Sequence, residues 1–301
     1  MEKIDNVPDS ERFIFTVATG RCGQSSLTEL VQNHVPDCYP AFEEPDVRPF
    51  LPPPLANYER RFRRRFVETH ELLGRGKVLT AFESGDHAYI ERIASKRVRM
   101  IQKEMRRRSA SIYFDISKFF ARGLHVGFAT LVRRYALVNL VRDPVLNMRS
   151  FLNRNKNFGL DNNMPGARSN ILRLPSDLSS GELYLWCWCE LYLRFERLRQ
   201  TANVTHAVEI RTEHLEDSQR MNAAFDALGL VHSPVQPLPP ANTNRAQGLG
   251  ETRVSAEDIL LFERFVNRIP SALRDQIKYL MNYDPWTFHR IDAGSHASAR
   301  A

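Results

Sequence analysis

Thr19-Gly20-Arg21-Cys22-Gly23-Gln24-Ser25-Ser26 puts two glycines, a guanidinium and small hydroxyls into one short turn. An apolar run (Phe13, Ile14, Phe15, Val17, Ala18) precedes it, and Leu27, Leu30, Val31 and His34 follow at helical spacing. Strand, glycine-bearing loop and helix start together make an anion cradle. The glycines allow a tight turn, and the helix N-terminus offers unpaired N–H groups and the positive end of its dipole. Phosphate is the usual occupant of such a cradle. A Walker loop ends Gly-Lys-Ser/Thr. Here the lysine is missing and Arg21 sits earlier, inside the loop, which argues against ATP or GTP chemistry of the P-loop kind. Taken alone, the stretch also reads as an ordinary strand-to-helix turn with an exposed arginine.

A second stretch bears on that choice. Ala136-Leu137-Val138-Asn139-Leu140-Val141 is another buried-strand pattern, followed by Arg142-Asp143-Pro144 and a helix carrying Ser150, eight positions after Arg142. That spacing lets both side chains reach one anion near the carboxyl end of the strand. With both motifs in order, the chain resembles the sulfotransferases that use 3′-phosphoadenosine-5′-phosphosulfate (PAPS). In that family a Gly-Arg-Ser-Gly-Thr-Thr turn grips the 5′-phosphosulfate, and Arg-(Asp/Asn)-Pro with a serine eight positions on grips the 3′-phosphate. This sequence departs from the pattern at Cys22, which replaces a serine, and at Gln24 with Ser25, which replace the paired hydroxyls.

The resemblance implies a co-substrate site of Gly20, Arg21, Cys22, Gly23, Gln24, Ser25 and Ser26, with Arg142 and Ser150 on the 3′-phosphate. It implies Arg245, in the glycine-containing loop Asn244–Gly250, as a further nucleotide contact. Lys118, in Asp115-Ile116-Ser117-Lys118, matches the lysine segment of many members and would neutralise a sulfuryl or leaving phosphate oxygen. Glu44-Pro45 matches the Glu-Pro pair of carbohydrate-type members, which makes Glu44 the candidate base. A carboxylate in a partly desolvated cleft has its pKa raised toward neutrality. Glu43, Glu83, His87 and Asp115 are its rivals. Arg21, Lys118 and Glu44 are thus the expected catalytic set, with no metal, because no His, Cys or Asp cluster has metal-ligand spacing.

The elements that must position these groups alternate between strands and helices. Strands are predicted at Phe13–Ala18, Lys77–Phe82, Ser111–Asp115, 136–141 and Val204–Ile210. Helices are predicted after residue 24 and over Tyr58–Leu73, Tyr89–Arg108 and Ser180–Gln200. Two more begin at Ser255, as a capping box, and at Pro270. The pattern implies a three-layer, doubly wound α/β fold with a mainly parallel central sheet and a P-loop-like PAPS-binding motif. Ligands in such folds sit at the carboxyl ends of the strands. Arg21, Glu83, Lys118 and Arg142 all fall there on this reading. One domain is expected over 12–290, with a flexible lead-in at 1–11, a substrate lid at 151–180 and a disordered tail at 291–301. The proline-rich Arg48–Leu55 stretch reads as an extended surface loop.

Composition narrows the class. The chain has 301 residues, 43% hydrophobic and 26% charged, with no apolar run long enough to cross a bilayer. Its four cysteines are too few for a disulfide framework, and MEKIDNVPDSER is not a signal-peptide pattern, so a cytoplasmic setting is expected. Net charge is +7 and the pI near 9.4, which suits a doubly phosphorylated nucleotide, an anionic acceptor or nucleic acid alike. No nucleic-acid motif accompanies the basic runs at 60–65 and 96–108, so no nucleic-acid partner is expected. The expected reaction is sulfuryl transfer to a hydroxyl of a carbohydrate or of a glycosylated or small metabolite. An atypical P-loop kinase and a non-catalytic nucleic-acid-binding protein are the competing readings.

Overall fold

Along Arg12–Val17 (β1) the side chains alternate between two buried clusters, Phe13, Phe15 and Val17 on one face and Ile14 on the other. Tyr135–Val141 (β4) repeats the pattern, with Leu137 and Val141 on the first face and Ala136, Val138 and Leu140 on the second. A strand buried on both faces belongs in the middle of a parallel sheet. The computed structural model describes residues 12–45, 50–52, 55, 58–59, 62, 69–154, 164, 167–173, 176–236 and 252–291. Cys38–Phe42 (β2), Ile112–Ile116 (β3) and Val204–Arg211 (β5) complete a five-stranded sheet of order β2-β3-β1-β4-β5, every pair parallel. Helices cover both faces, giving the three-layer α/β architecture expected from the sequence.

Gln24–His34 (α1) and Ser218–Ala227 (named α8 below, in chain order) pack on one face. Between these in sequence come Thr69–Leu73 (α2), Lys77–Ser84 (α3), His87–Arg108 (α4), Leu124–Leu131 (α5), Pro144–Leu152 (α6) and Ser180–Leu198 (α7). Ala256–Asn267 (α9), Ser271–Arg274 (α10), Lys278–Met281 (α11) and Pro285–His289 (α12) follow. The other face of the sheet is covered by α4, α5 and α7, with α9 behind them.

The structure departs from the sequence reading at two segments. Lys77–Phe82, predicted as a strand, is the helix α3, with Val78, Leu79 and Ala81 buried; a short apolar run does not separate the two periods. Glu83 therefore lies on a helix and not at a strand's carboxyl end. Cys38–Phe42, to which the sequence reading assigns no strand, is β2. Pro40 is admitted because β2 is an edge strand, where a missing N–H costs no ladder bond on the outer side. Part of the expected 151–180 lid is packed: Met164 and Leu172 are buried in the core.

α7, which the sequence shows as apolar all round, carries a polar seam. Glu190 accepts from Arg194 Nε at 2.7 Å and from the N–H groups of Ile171 and Leu172. Arg194 in turn donates to the Ala121 carbonyl at 2.9 Å. A second buried pair joins α4 to β3: Arg97 Nη2 meets Asp115 Oδ2 at 2.5 Å and donates to Tyr113 Oη at 3.2 Å. Arg97→Leu would strand the Asp115 carboxylate in a desolvated site. Urea unfolding should show a loss of about 3–5 kcal/mol, the usual result of removing one partner from a buried ion pair.

Candidate active site

All five strands point their carboxyl ends the same way, so the turns that leave them share one rim. The β1 turn is fixed by its carbonyls. Gly20 O accepts from Asn147 Nδ2 at 3.0 Å and from Tyr184 Oη at 3.1 Å. Arg21 O accepts from Arg142 Nη1 at 3.2 Å and Asn147 Nδ2 at 3.3 Å, and Cys22 O accepts from Thr212 Oγ1 at 2.9 Å. In a trans peptide the C=O and the following N–H point in opposite directions. Drawing three carbonyls inward turns the N–H groups of Arg21, Cys22 and Gly23 outward. α1 then begins at Gly23 with no side-chain cap and no acidic residue in its first turn. Its leading N–H groups lack intrahelical acceptors, and the dipole adds positive potential there. The result is the anion cradle that the sequence implies.

The turn has the backbone its glycines permit. Gly20 has φ 105°, and a Cβ there would lie 3.1 Å from Lys118 Cδ. Gly23 has φ 77°, and a Cβ would come within 2.5 Å of Leu215 Cδ1. Arg21, at φ 61°, takes the left-handed conformation without being glycine, local strain of the kind concentrated at functional sites.

Arg21 and Arg142, far apart in sequence, meet here. Burial holds the Arg21 guanidinium below the usual arginine range, and the positive charges of Arg154 and Arg142 push it further down. Like charges crowded on one rim are what an anionic ligand relieves. Gln24 is buried with Nε2 unpaired among the described residues, and Ser150 is buried with Oγ unpaired. Ser150 Oγ is covered, so a phosphate reaches it only if the side chains over it shift. Cys22 does not face the cradle: its buried thiol donates back to Gly20 O at 3.2 Å, and burial pushes its pKa up. Ser25 is exposed at the helix start and Ser26 half-buried. Arg245 lies outside the described residues.

The opposite end of the rim carries carboxylates. Lys118, just past β3, packs its stem on Gly20 and reaches Glu43 Oε1 at 2.9 Å. Burial lowers its pKa, and the Glu43 carboxylate offsets that. Glu44, leaving β2, accepts a hydrogen bond from the Tyr39 hydroxyl. Of the rival bases, Asp115 is committed to Arg97, Glu83 belongs to α3 and His87 is exposed in the first turn of α4.

Several positioning residues escape the sequence reading: Asn147, Tyr184, Thr212 and Arg122, whose Nη2 donates to the carbonyl of Thr19 at 3.1 Å. One signal was available. Asp143, the N-cap, and Asn147 and Ser150 recur at helical spacing along α6, whose other polar residue is Arg149. Asp143 caps α6 by accepting from Leu146 N at 2.7 Å. It also bonds Tyr283 Oη and lies 3.1 Å from His289 Nε2.

No family model and no curated protein matches the chain. Among solved structures it is similar to the sulfotransferase domain of a Synechococcus olefin synthase, at 16% identity and a TM-score of 0.43, covering 87% of this chain and 98% of that one. It is also similar to a sulfotransferase from Alicyclobacillus acidocaldarius, at 16% identity and a TM-score of 0.33, covering 88% and 99%. Both of those structures are described as sulfotransferases. Among the described residues no helix is long and apolar enough to cross a membrane.

Asn147→Leu removes one donor group from two loop carbonyls and one acceptor from Thr19. Chemical denaturation should register a loss of roughly 2–4 kcal/mol, from several buried hydrogen bonds lost at once, although Tyr184 still serves Gly20 O and Arg142 still serves Arg21 O.

Proposed function

We propose that this chain is a PAPS-dependent sulfotransferase acting on a hydroxyl acceptor. The observation that carries this reading is the meeting of two motif arginines: Arg142 Nη1 on the carbonyl of Arg21, beside an uncapped helix start. A cradle for one anionic group and a second arginine beside it suit a ligand with phosphate at both ends. The two buried unpaired donors, Gln24 Nε2 and Ser150 Oγ, fit a ligand rich in acceptor oxygens.

On this reading Arg21 and the amides at the start of α1 hold the 5′-phosphosulfate, and Arg142 with Ser150 holds the 3′-phosphate. PAPS supplies an activated sulfuryl group, whose transfer is loose and in line, with charge spread over equatorial oxygens. Catalysis of that kind is positioning plus cationic stabilisation. Lys118, kept at the rim by Glu43, presents its ammonium toward the oxygens that gain charge. Glu44 accepts the acceptor's hydroxyl proton, and the Tyr39 hydroxyl holds its carboxylate in place. The carbohydrate-type Glu-Pro pair favours a sugar or glycosylated metabolite as acceptor, in the resemblance drawn above. No metal has a part in this scheme, and a cytoplasmic setting is in keeping with the sequence.

Two outcomes test the proposal. Isothermal titration with adenosine 3′,5′-bisphosphate should show binding that Arg142→Ala weakens roughly tenfold to a hundredfold, the value of a charge-assisted hydrogen bond. Unchanged affinity in that variant would remove the ground for the assignment. With PAPS and a panel of hydroxylated acceptors, mass spectrometry should show a gain of one sulfuryl group. Glu44→Gln should lower kcat by roughly a hundredfold or more while leaving nucleotide affinity intact.

A further inference from the structure

Trp186 lies two positions after Tyr184 on α7, about 200° round the helix, so it faces away from the β1 turn that Tyr184 holds. On that side a recess of 340 Å³ opens between the 171–173 segment, α7, α9 and α10, lined by Leu172, Trp186, Phe265, Ile269 and Leu273. The volume falls in the range of small-molecule pockets.

The polar groups of this wall are already paired within the protein. The Trp186 indole N–H donates to Leu172 O at 3.1 Å, and the N–H groups of Ile171 and Leu172 both donate to Glu190. Most of what remains facing the recess is carbon. Arg268, which also lines it, is held by Asp177 at 2.7 Å and Glu182 at 3.5 Å, so its charge is matched and its stem is wall. Arg173 differs. It lines the recess, is exposed, and pairs with no group among the described residues. An apolar chamber with one unmatched cation beside it selects for an apolar body bearing a single negative charge. A neutral hydrocarbon would leave the guanidinium unused, and a cation would meet it unfavourably. A dianion would find only one unmatched partner.

We infer that this recess is a binding site for an amphipathic monoanion, a medium-length aliphatic carboxylate or sulfate ester, with its tail against Trp186, Phe265 and Ile269 and its head at Arg173. The inference is independent of the PAPS reading: no residue of the β1 turn, of Arg142 or of Glu44 takes part. The site is separate from the rim on which sulfuryl transfer is proposed.

The test is calorimetric titration of the full chain with octanoate, octyl sulfate, octanol and octylamine below their aggregation limits. The expected result is saturable binding of the anions with a negative heat-capacity change, the mark of apolar burial. Octanol should bind roughly fivefold more weakly than octanoate, as the loss of one partly exposed charge contact predicts. Arg173→Ala should reduce octanoate to the affinity of octanol. Octylamine should show no saturable binding, and Ile269→Trp, which fills the chamber, should abolish binding of octanoate, octyl sulfate and octanol, with its melting transition confirming that it folds. If it does not fold, Leu273→Trp serves the same purpose. Octanol and octanoate binding equally, an Arg173→Ala variant indistinguishable from wild type, undiminished binding in a folded chamber-filling variant, or no saturable binding at all would each overturn the inference.

Discussion

The Asn147 carboxamide is the interaction on which the rest of the site depends. It sits buried on α6, accepts from Thr19 Oγ1 at 2.7 Å and Tyr184 Oη at 3.2 Å, and donates to the carbonyls of Gly20 and Arg21. An amide has two donor hydrogens and two acceptor lone pairs, so this one is fully used. No other side chain of similar size offers both functions in that geometry. The constraint it imposes runs through the peptide plane: a carbonyl turned inward fixes the neighbouring N–H outward. The orientation of the cradle is therefore set from behind, by a helix following β4 and a helix that precedes β5, before any ligand arrives.

Charge is divided along the rim by strand order. The β1 and β4 turns carry Arg21 and Arg142, and the β2 exit carries Glu43 and Glu44. Lys118 at the end of β3 stands between, because β3 lies between β2 and β1. A parallel sheet makes such a gradient easy to encode, since each strand contributes one exit turn and neighbours in the sheet become neighbours on the rim. Burial on one side and three guanidiniums on the other keep the cationic half under electrostatic tension, while the Lys118–Glu43 pair leaves Glu44 as the net charge of the carboxylate half. The proposed sulfuryl transfer would use that asymmetry: cations where negative charge accumulates, and a carboxylate where a proton is released.

Much of this was legible in the chain. The β1 and β4 strands, α1, the α9 capping box and the convergence of Arg21 with Arg142 follow from apolar runs, a cap and two short motifs. What the chain did not disclose has identifiable causes. Lys77–Phe82 is too short for its period to be read, and only packing against α4 and α5 decides it. Cys38–Phe42 hides behind Pro40, since proline argues against a strand unless the strand is known to be an edge. Asn147 and Tyr184 carry no motif, because their role is to hold backbone atoms of a distant turn, and backbone partners leave no trace in residue type. Cys22 illustrates the reverse hazard: its place in the motif suggested a ligand contact, but its side chain points into the protein.

Pro40 has a consequence beyond admitting β2 to the sheet. An open sheet margin is a template on which a foreign segment can add itself by main-chain pairing, the first step toward amyloid-like assembly. A proline in the middle of that margin interrupts its row of N–H donors, so an incoming segment would lose continuous pairing. The acidic exit at Glu43 and Glu44 adds repulsion toward other acidic segments at the same end. The strand that brings the carboxylates to the rim is thus also the one that shields this margin of the molecule from unwanted self-association.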